Sequence, residues 1–258
     1  MYRSTRTDFL TSLLTGAMLV AAPAFADDAT EERVKTALSS DIRSDAEKDR
    51  DANRKPVQTL AFFGLKSDMK VLELLPGGGW YTKLLGPTLA ADGELHVALG
   101  TGRVSERVLT LDGFENVTAL DFDPGFERDG EFGTYSLTND IDFGNGTYDM
   151  VLTFRNVHNF TPEARAKINA AAFQALKPGG VYGVVDHTAR HMEPKTRENR
   201  RRIDPVRVIH ETLEAGFELE AFSDLHYRPD DELRYEVGRK SVTGNTDRFT
   251  FRFRKPEE

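Results

Sequence analysis

Between Lys70 and Val185, short apolar runs alternate with helix-length stretches, and this rhythm constrains the fold of the 258-residue chain more than any other feature. Residues 71–75, 94–99, 117–122, 148–154 and 181–185 read as strands, and 81–89, 104–111 and 162–176 as helices. Strands of five to seven residues separated by helices build βαβ units. The expected fold class is therefore α/β, doubly wound around a mainly parallel sheet. Pro162 stands in the first helical turn, where its missing N–H costs nothing, and Gly179-Gly180 reads as a turn. A long loop is expected between 122 and 148. Further on, Asp204 is expected to cap a helix ending near Gly216, and 217–225 and 248–254 read as closing strands. Upstream, Val34, Leu38 and Ile42 are spaced by four in a charge-rich segment, 27–55, which reads as a surface helix with a frayed polar end. A second short helix is expected over 56–63.

The first 26 residues have another purpose. Arg3 and Arg6 precede an apolar stretch over 9–22, and Ala24-Phe25-Ala26 offers a small-x-small cleavage signal, the pattern of a secretory signal peptide. That stretch falls short of the roughly 20 residues that span a bilayer, so no stable membrane anchor is expected after cleavage. The expected organisation is a leader over 1–26, a helical extension over 27–63 and the main domain over 64–258, in a periplasmic or secreted protein. The chain contains no Cys, which excludes disulfides, thiol chemistry and a lipid anchor on cysteine. A net charge of −8 speaks against a nucleic-acid partner. The charge is uneven, however: residues 112–150 hold ten acids and one Arg, whereas 190–207 hold seven Lys and Arg against three acids. The basic segment follows a strand's C-terminal end, and it reads either as a solvated loop or as a cover over a crevice for an anionic small molecule.

The stretch Val71-Leu72-Glu73-Leu74-Leu75-Pro76-Gly77-Gly78-Gly79-Trp80-Tyr81 carries the most chemistry. A strand ending in three glycines before a helix brings backbone close to a ligand and aims helix N–H groups at it. A P-loop needs Lys-Ser/Thr after the glycines, where Trp80-Tyr81 stands. A dinucleotide fingerprint needs a third glycine where Thr82 stands, and an acid about 20 residues on where His96-Val97-Ala98 stand. Neither pattern is met.

Glu73-x-x-x-Gly77-x-Gly79 after an apolar strand resembles motif I of the class I S-adenosylmethionine-dependent methyltransferases. More narrowly, the chain is similar to exported methyltransferases carrying a Leu-x-Pro-Gly-Gly-Gly-Trp-Tyr turn. The likeness extends over residues 45–256 through 51–56, Phe63-Gly64-Leu65-Lys66, Phe154-Arg155-Asn156-Val157-His158-Asn159, Lys177-Pro178-Gly179-Gly180, Val185-Asp186-His187 and Asp247-Arg248-Phe249. The resemblance implies a seven-stranded Rossmann-like sheet, S-adenosylmethionine as cofactor and methyl transfer to a small-molecule acceptor. It implies that Glu73, Pro76, Gly77, Gly79, Tyr81, Asp140, Arg155 and Asn156 form the cofactor site, with Asp140 near the adenine and Arg155 and Asn156 facing the transferred methyl. Two positions depart from the pattern. Leu75 stands at the first motif glycine, and the second strand ends in Ala98-Leu99-Gly100 without the acid that holds the ribose.

Methyl transfer chiefly needs positioning, with a base only where the acceptor carries a proton to lose. His158 and the pair Asp186-His187 follow strand ends, where ligands bind in open α/β sheets, and are the candidate catalytic residues. Each also has a structural reading. His187, His191, Asp186 and Asp204 hold the residue types of a metal site, but Glu193-Pro194 breaks the helix that would align them, and no metal is expected. Arg200-Arg201-Arg202 reads as an anion clamp or a solvated charge run, and Trp80 and Tyr81 as packing or cofactor-stacking residues. No Gly-x-Ser-x-Gly elbow supports a hydrolase. Two readings stay open: an exported methyltransferase, and a ligand-binding protein of the same fold that has lost the donor site.

Overall fold

The computed structural model describes residues 27–129 and 132–257; the leader expected over 1–26 lies outside them. Four helices come first: α1 (Asp28–Ser39), α2 (Asp45–Lys48), α3 (Asp51–Arg54) and α4 (Pro56–Phe63). The alternating part follows as β1 (Lys70–Leu74), α5 (Thr82–Leu89), β2 (Glu94–Ala98), α6 (Gly102–Arg107) and β3 (Val117–Ala119). A hairpin of β4 (Phe126–Asp129) and β5 (Thr134–Leu137) leads to β6 (Tyr148–Phe154), a single 3-10 turn (Val157–Asn159) and α7 (Pro162–Ala175). The chain ends through β7 (Leu176–His187), α8 (Pro205–Glu214), β8 (Glu218–Ser223) and β9 (Arg248–Arg254).

The seven-stranded sheet has the order β3-β2-β1-β6-β7-β9-β8. Strands β3 to β7 along this order pair in parallel, and β9 alone runs against its neighbours. The expected doubly wound sheet is thus observed, with helices on both faces. Successive side chains point to opposite faces, so Val71 packs with α1, α4 and α5 while Leu72 and Leu74 pack with α7 and α8. Asp204 caps α8 by accepting the Val206 N–H, as expected from the sequence, and Thr161 caps α7 by accepting the Ala164 N–H.

Three segments differ from the sequence reading. The polar end at 45–54 forms two helical turns, because Arg43 is ion-paired with Asp51 while Glu47 closes a capping box with Ser44 and binds Lys83. The loop between β3 and β6 folds back as the β4–β5 hairpin. Strand β7 starts at Leu176, which pairs with Tyr148, and the expected Gly179-Gly180 turn lies inside it as a register irregularity. Gly183 in mid-β7 lets the sheet approach α4: a Cβ there would lie 2.7 Å from Leu152 Cδ2 and 2.9 Å from Phe63 Cγ. Gly183→Val should therefore overpack this layer and lower unfolding stability by about 1–3 kcal/mol, read as a reduced urea midpoint at unchanged m-value.

Candidate functional site

Strand β1 pairs with β2 on one side and β6 on the other, so the connections leaving β1 and β6 run to opposite faces and open a crevice at their C-terminal ends. Three non-glycine residues there adopt a left-handed backbone: Leu75 (φ 55°) after β1, Leu99 (φ 65°) after β2 and Arg155 (φ 62°) after β6. Such conformations are held by surrounding bonds and gather at functional sites. The Leu75 N–H donates to the Ala98 carbonyl (2.8 Å) and the Arg155 N–H to the Val185 carbonyl (2.7 Å). The Asn156 side-chain amide joins the two strand ends by donating to the carbonyls of Leu75 (3.1 Å) and Phe154 (3.0 Å). Leu75 thus takes a glycine-like backbone, which explains how it stands at the motif's first glycine.

The glycine turn follows directly. Gly77 (φ 60°) and Gly79 (φ 83°) both need positive φ, but they face different surroundings. A Cβ on Gly79 would strike Val108 Cγ2 at 2.6 Å, so that glycine lets α6 close behind the turn. A Cβ on Gly77 or Gly78 would meet nothing within 4 Å, because they face the crevice. Under the turn, buried Glu73 accepts the Thr82 hydroxyl at 2.6 Å, and burial pushes its carboxyl up to about 7. This part of the crevice is a cavity of about 310 Å³ lined by Glu73, Pro76, Gly77, Tyr81, Arg155 and Asn156 among others. Tyr81 stacks on Phe154 with ring centroids 3.5 Å apart, and Trp80 meets Tyr81 edge-on and donates its indole N–H to the Glu47 carbonyl. The two aromatics therefore pack the wall of the crevice.

A second cavity of about 470 Å³ shares Arg50, Arg54, Arg103, Arg155 and Asn156 with the first and adds His158, His187 and Arg248. Here the candidate catalytic residues meet. Asp186, fully buried, accepts the His158 ring Nδ1–H at 2.6 Å through one carboxylate oxygen and the His158 backbone N–H at 2.9 Å through the other. This fixes the tautomer and leaves Nε2 without a partner among the described residues. His158 also borders a third cavity of about 370 Å³ with Phe160, Met192, Lys195 and Arg207. Burial and Arg165 hold Lys195 down to about 8, and its ammonium donates to the His158 carbonyl (3.2 Å). His187 is different: its Nδ1 meets the Thr246 hydroxyl (3.0 Å), and burial keeps its pKa far below the usual imidazole value.

The other sequence candidates lie elsewhere. Asp140 is fully exposed, 3.9 Å from Lys167, and lines neither crevice cavity, because the segment after β5 turns outward. His191 pairs with the α8 cap Asp204 (2.8 Å) at the surface, and among the described residues no cluster of three His, Asp or Glu is arranged to hold a metal. Of the seven cations in the basic 190–207 segment, Arg202 is buried in a double ion pair with Asp231 and Arg201 pairs with Glu236, while Lys195 and Arg207 line the third cavity beside His158. The first two cavities are also lined by Arg50, Arg54, Arg103 and Arg248, which sequence reasoning missed as site residues because they are scattered along the chain. One signal was present: where an acid was sought after β2, Arg103 follows.

Residues 95–184 match a family model described as a methyltransferase domain, a span from β2 into β7 that leaves β1 and the glycine turn outside. An uncharacterized methyltransferase from Synechocystis is 29% identical over 134 residues, covering 51% of either chain. This chain therefore spans about half the length of the curated relative it matches. A methyltransferase structure from Aquifex aeolicus aligns with a TM-score of 0.56 at 17% identity, covering 87% of this chain and 97% of that one. One from Mesorhizobium loti aligns at 0.51 and 12% identity, covering 74% and 94%. Over residues 95–184 the chain is therefore similar to a methyltransferase domain. The solved structures add the fold.

A further histidine ties the crevice to the sheet. His226 donates from Nε2 to the Arg54 carbonyl (2.9 Å) and accepts the Thr250 hydroxyl at Nδ1 (2.7 Å), and burial drives its pKa down to about 3. His226 and His187 are neutral in the folded chain but titrate near 6.5 when unfolded. The unfolded chain thus binds more protons below pH 6.5, and both residues cost stability as pH falls. Glu73 acts oppositely, holding its proton in the folded chain from about 7 down to its unfolded value of 4.5. In urea titrations at pH 7.5 and 5.0, His226→Gln should lose about 2 kcal/mol less than the wild type, since it carries no proton deficit. Equal losses would show that His226 is not held neutral.

Proposed function

We propose that this protein transfers a methyl group from S-adenosylmethionine to an anionic small-molecule acceptor. The observation that carries the reading is the open glycine turn at the point where the sheet's connections diverge, facing a cavity that leads to the Asp186–His158 pair. The residues fit the methionine half of the donor. Gly77 and Gly78 leave room for close approach, and Glu73 lies beneath as a partner for an ammonium. Glu73, Pro76 and Gly77 would hold it.

When bound, the donor would supply an electrophilic methyl carbon on a sulfonium, with the neutral thioether as the leaving group. The chain's own work is positioning and proton removal. His158 Nε2 takes the proton that the acceptor loses, while Asp186 holds the ring by Nδ1 and stabilises the imidazolium that forms. Neutral His187, with its ring centroid 5.9 Å from that of His158, adds no competing charge. A second reading, ligand binding without turnover, is favoured by one observation: β2 ends in Leu99-Gly100-Thr101 with no carboxylate for a ribose. The proposal also places the protein outside the cytoplasm, on the leader pattern of residues 1–26. Among the described residues no helix is long and apolar enough to cross a membrane.

Calorimetric titration with S-adenosylhomocysteine separates the readings. Gly77→Val puts a β-branched residue at φ 60° and a side chain into the cradle, and it should weaken binding by roughly tenfold or more. His158→Gln should leave that affinity unchanged. No heat from the folded wild type at millimolar ligand would sink the methyltransferase reading and leave the second.

A further inference from the structure

Six arginines line the two joined cavities, and only Arg201 among them is ion-paired, with Glu236. Arg50, Arg54, Arg103, Arg155 and Arg248 form no ion pair among the described residues. The carboxylates bordering the crevice do not balance them: Glu47 is taken by Lys83 and Ser44, Glu73 by Thr82, and the larger cavity has no carboxylate in its lining. Arg54 is 4% exposed, yet its guanidinium makes no hydrogen bond among the described residues and lies over the Trp80 ring at 4.1 Å. The Arg248 guanidinium donates to the Asn53 carbonyl but forms no ion pair among the described residues, and the Nε–H groups of Arg155 and Arg248 are buried without an acceptor. Buried donors of this kind are nearly always satisfied in folded proteins, and an unpaired buried charge costs several kcal/mol. Burial and mutual repulsion hold Arg54 down to about 9 and Arg248 to about 10. The missing partner is an anion.

Its shape follows from where the arginines come from. Arg54 ends α3, Arg155 follows β6 and Arg248 begins β9, so the three guanidiniums reach the crevice from three separate elements. A planar carboxylate presents two oxygens in one plane and is met by one guanidinium fork, whereas a tetrahedral oxyanion accepts forks from several directions. Arg50 and Arg103, both exposed at the rim, add an attractive field at the mouth.

We propose that the crevice binds a phosphate dianion, carried by the acceptor as a phosphate monoester and gripped by Arg54, Arg155 and Arg248. As a statement about the acceptor, this rests on the methyl-transfer reading; as a statement about binding, it does not.

The test titrates the folded chain by calorimetry, at fixed ionic strength, with inorganic phosphate, phenyl phosphate and succinate, each with and without S-adenosylhomocysteine. Both phosphates should bind, and tighter at pH 8 than at pH 5, because the second phosphate ionisation lies near 6. Succinate should bind at least tenfold more weakly. A phenyl phosphate affinity above that of inorganic phosphate identifies an ester as the source, and equal affinities identify free phosphate. Arg54→Gln and Arg248→Gln should each weaken phosphate by roughly tenfold or more. Arg54→Gln should also leave the ligand-free Tm unchanged or raised, since it removes an unpaired buried charge; a purely structural arginine would lower it. Arg103→Gln, at an exposed site where folding is not at stake, should weaken binding and flatten its salt dependence. Phosphate binding no tighter than succinate, or unaltered in all three variants, would overturn the proposal. If S-adenosylhomocysteine binds while phosphate does not, the methyl-transfer reading stands and this one fails; phosphate binding alone gives the converse.

Discussion

Parallel strands β1 and β6 lie side by side while their outgoing connections leave toward opposite faces, and every functional feature depends on that divergence. The two strand ends cannot be bridged by a continuous ladder, so their last carbonyls need another donor. Asn156 supplies it by donating to both Leu75 and Phe154. Leu75 and Arg155 are then locked in left-handed backbone, which turns the glycine loop over one side of the opening and sends the Arg155 side chain into the other.

The N-terminal helices complete the crevice. Left-handed Lys55 (φ 43°) sits between α3 and Pro56, and the Arg54 carbonyl beside it is held by His226 and by the Thr59 hydroxyl. With the backbone pinned at that point, the Arg54 side chain lies between the Trp80 ring and the cavity. Arg43 reaches the same ring from 5.0 Å while paired with Asp51. The indole therefore contacts two cations of different kinds, one paired with a carboxylate and one without an ion pair among the described residues.

Neutral and charged groups are separated with similar economy around His158. Asp186 accepts the His158 ring N–H and the His187 backbone N–H through one oxygen and the His158 backbone N–H through the other, so the His158 ring is the imidazole it contacts. His187, next in sequence, is neutral because burial and nearby arginines oppose its protonation.

The sequence by itself determined the α/β class, the positions of β1, β2, β3 and β6, the cap at Asp204 and the glycine turn, because each is written in local periodicity or in one residue's backbone preference. It also picked out His158, Asp186, Arg155 and Asn156 as residues at strand ends, where a doubly wound sheet binds its ligands. Only the tertiary structure decided which charges are free. Arg201 and Arg202, conspicuous in a basic run, find carboxylates at Glu236 and Asp231, about thirty residues away, whereas isolated Arg54 and Arg248 find none. Only folding likewise showed that Asp140 points to solvent and that Leu75 mimics a glycine. Charge pairing and left-handed backbone are imposed by neighbours distant in the chain, and no local pattern records them.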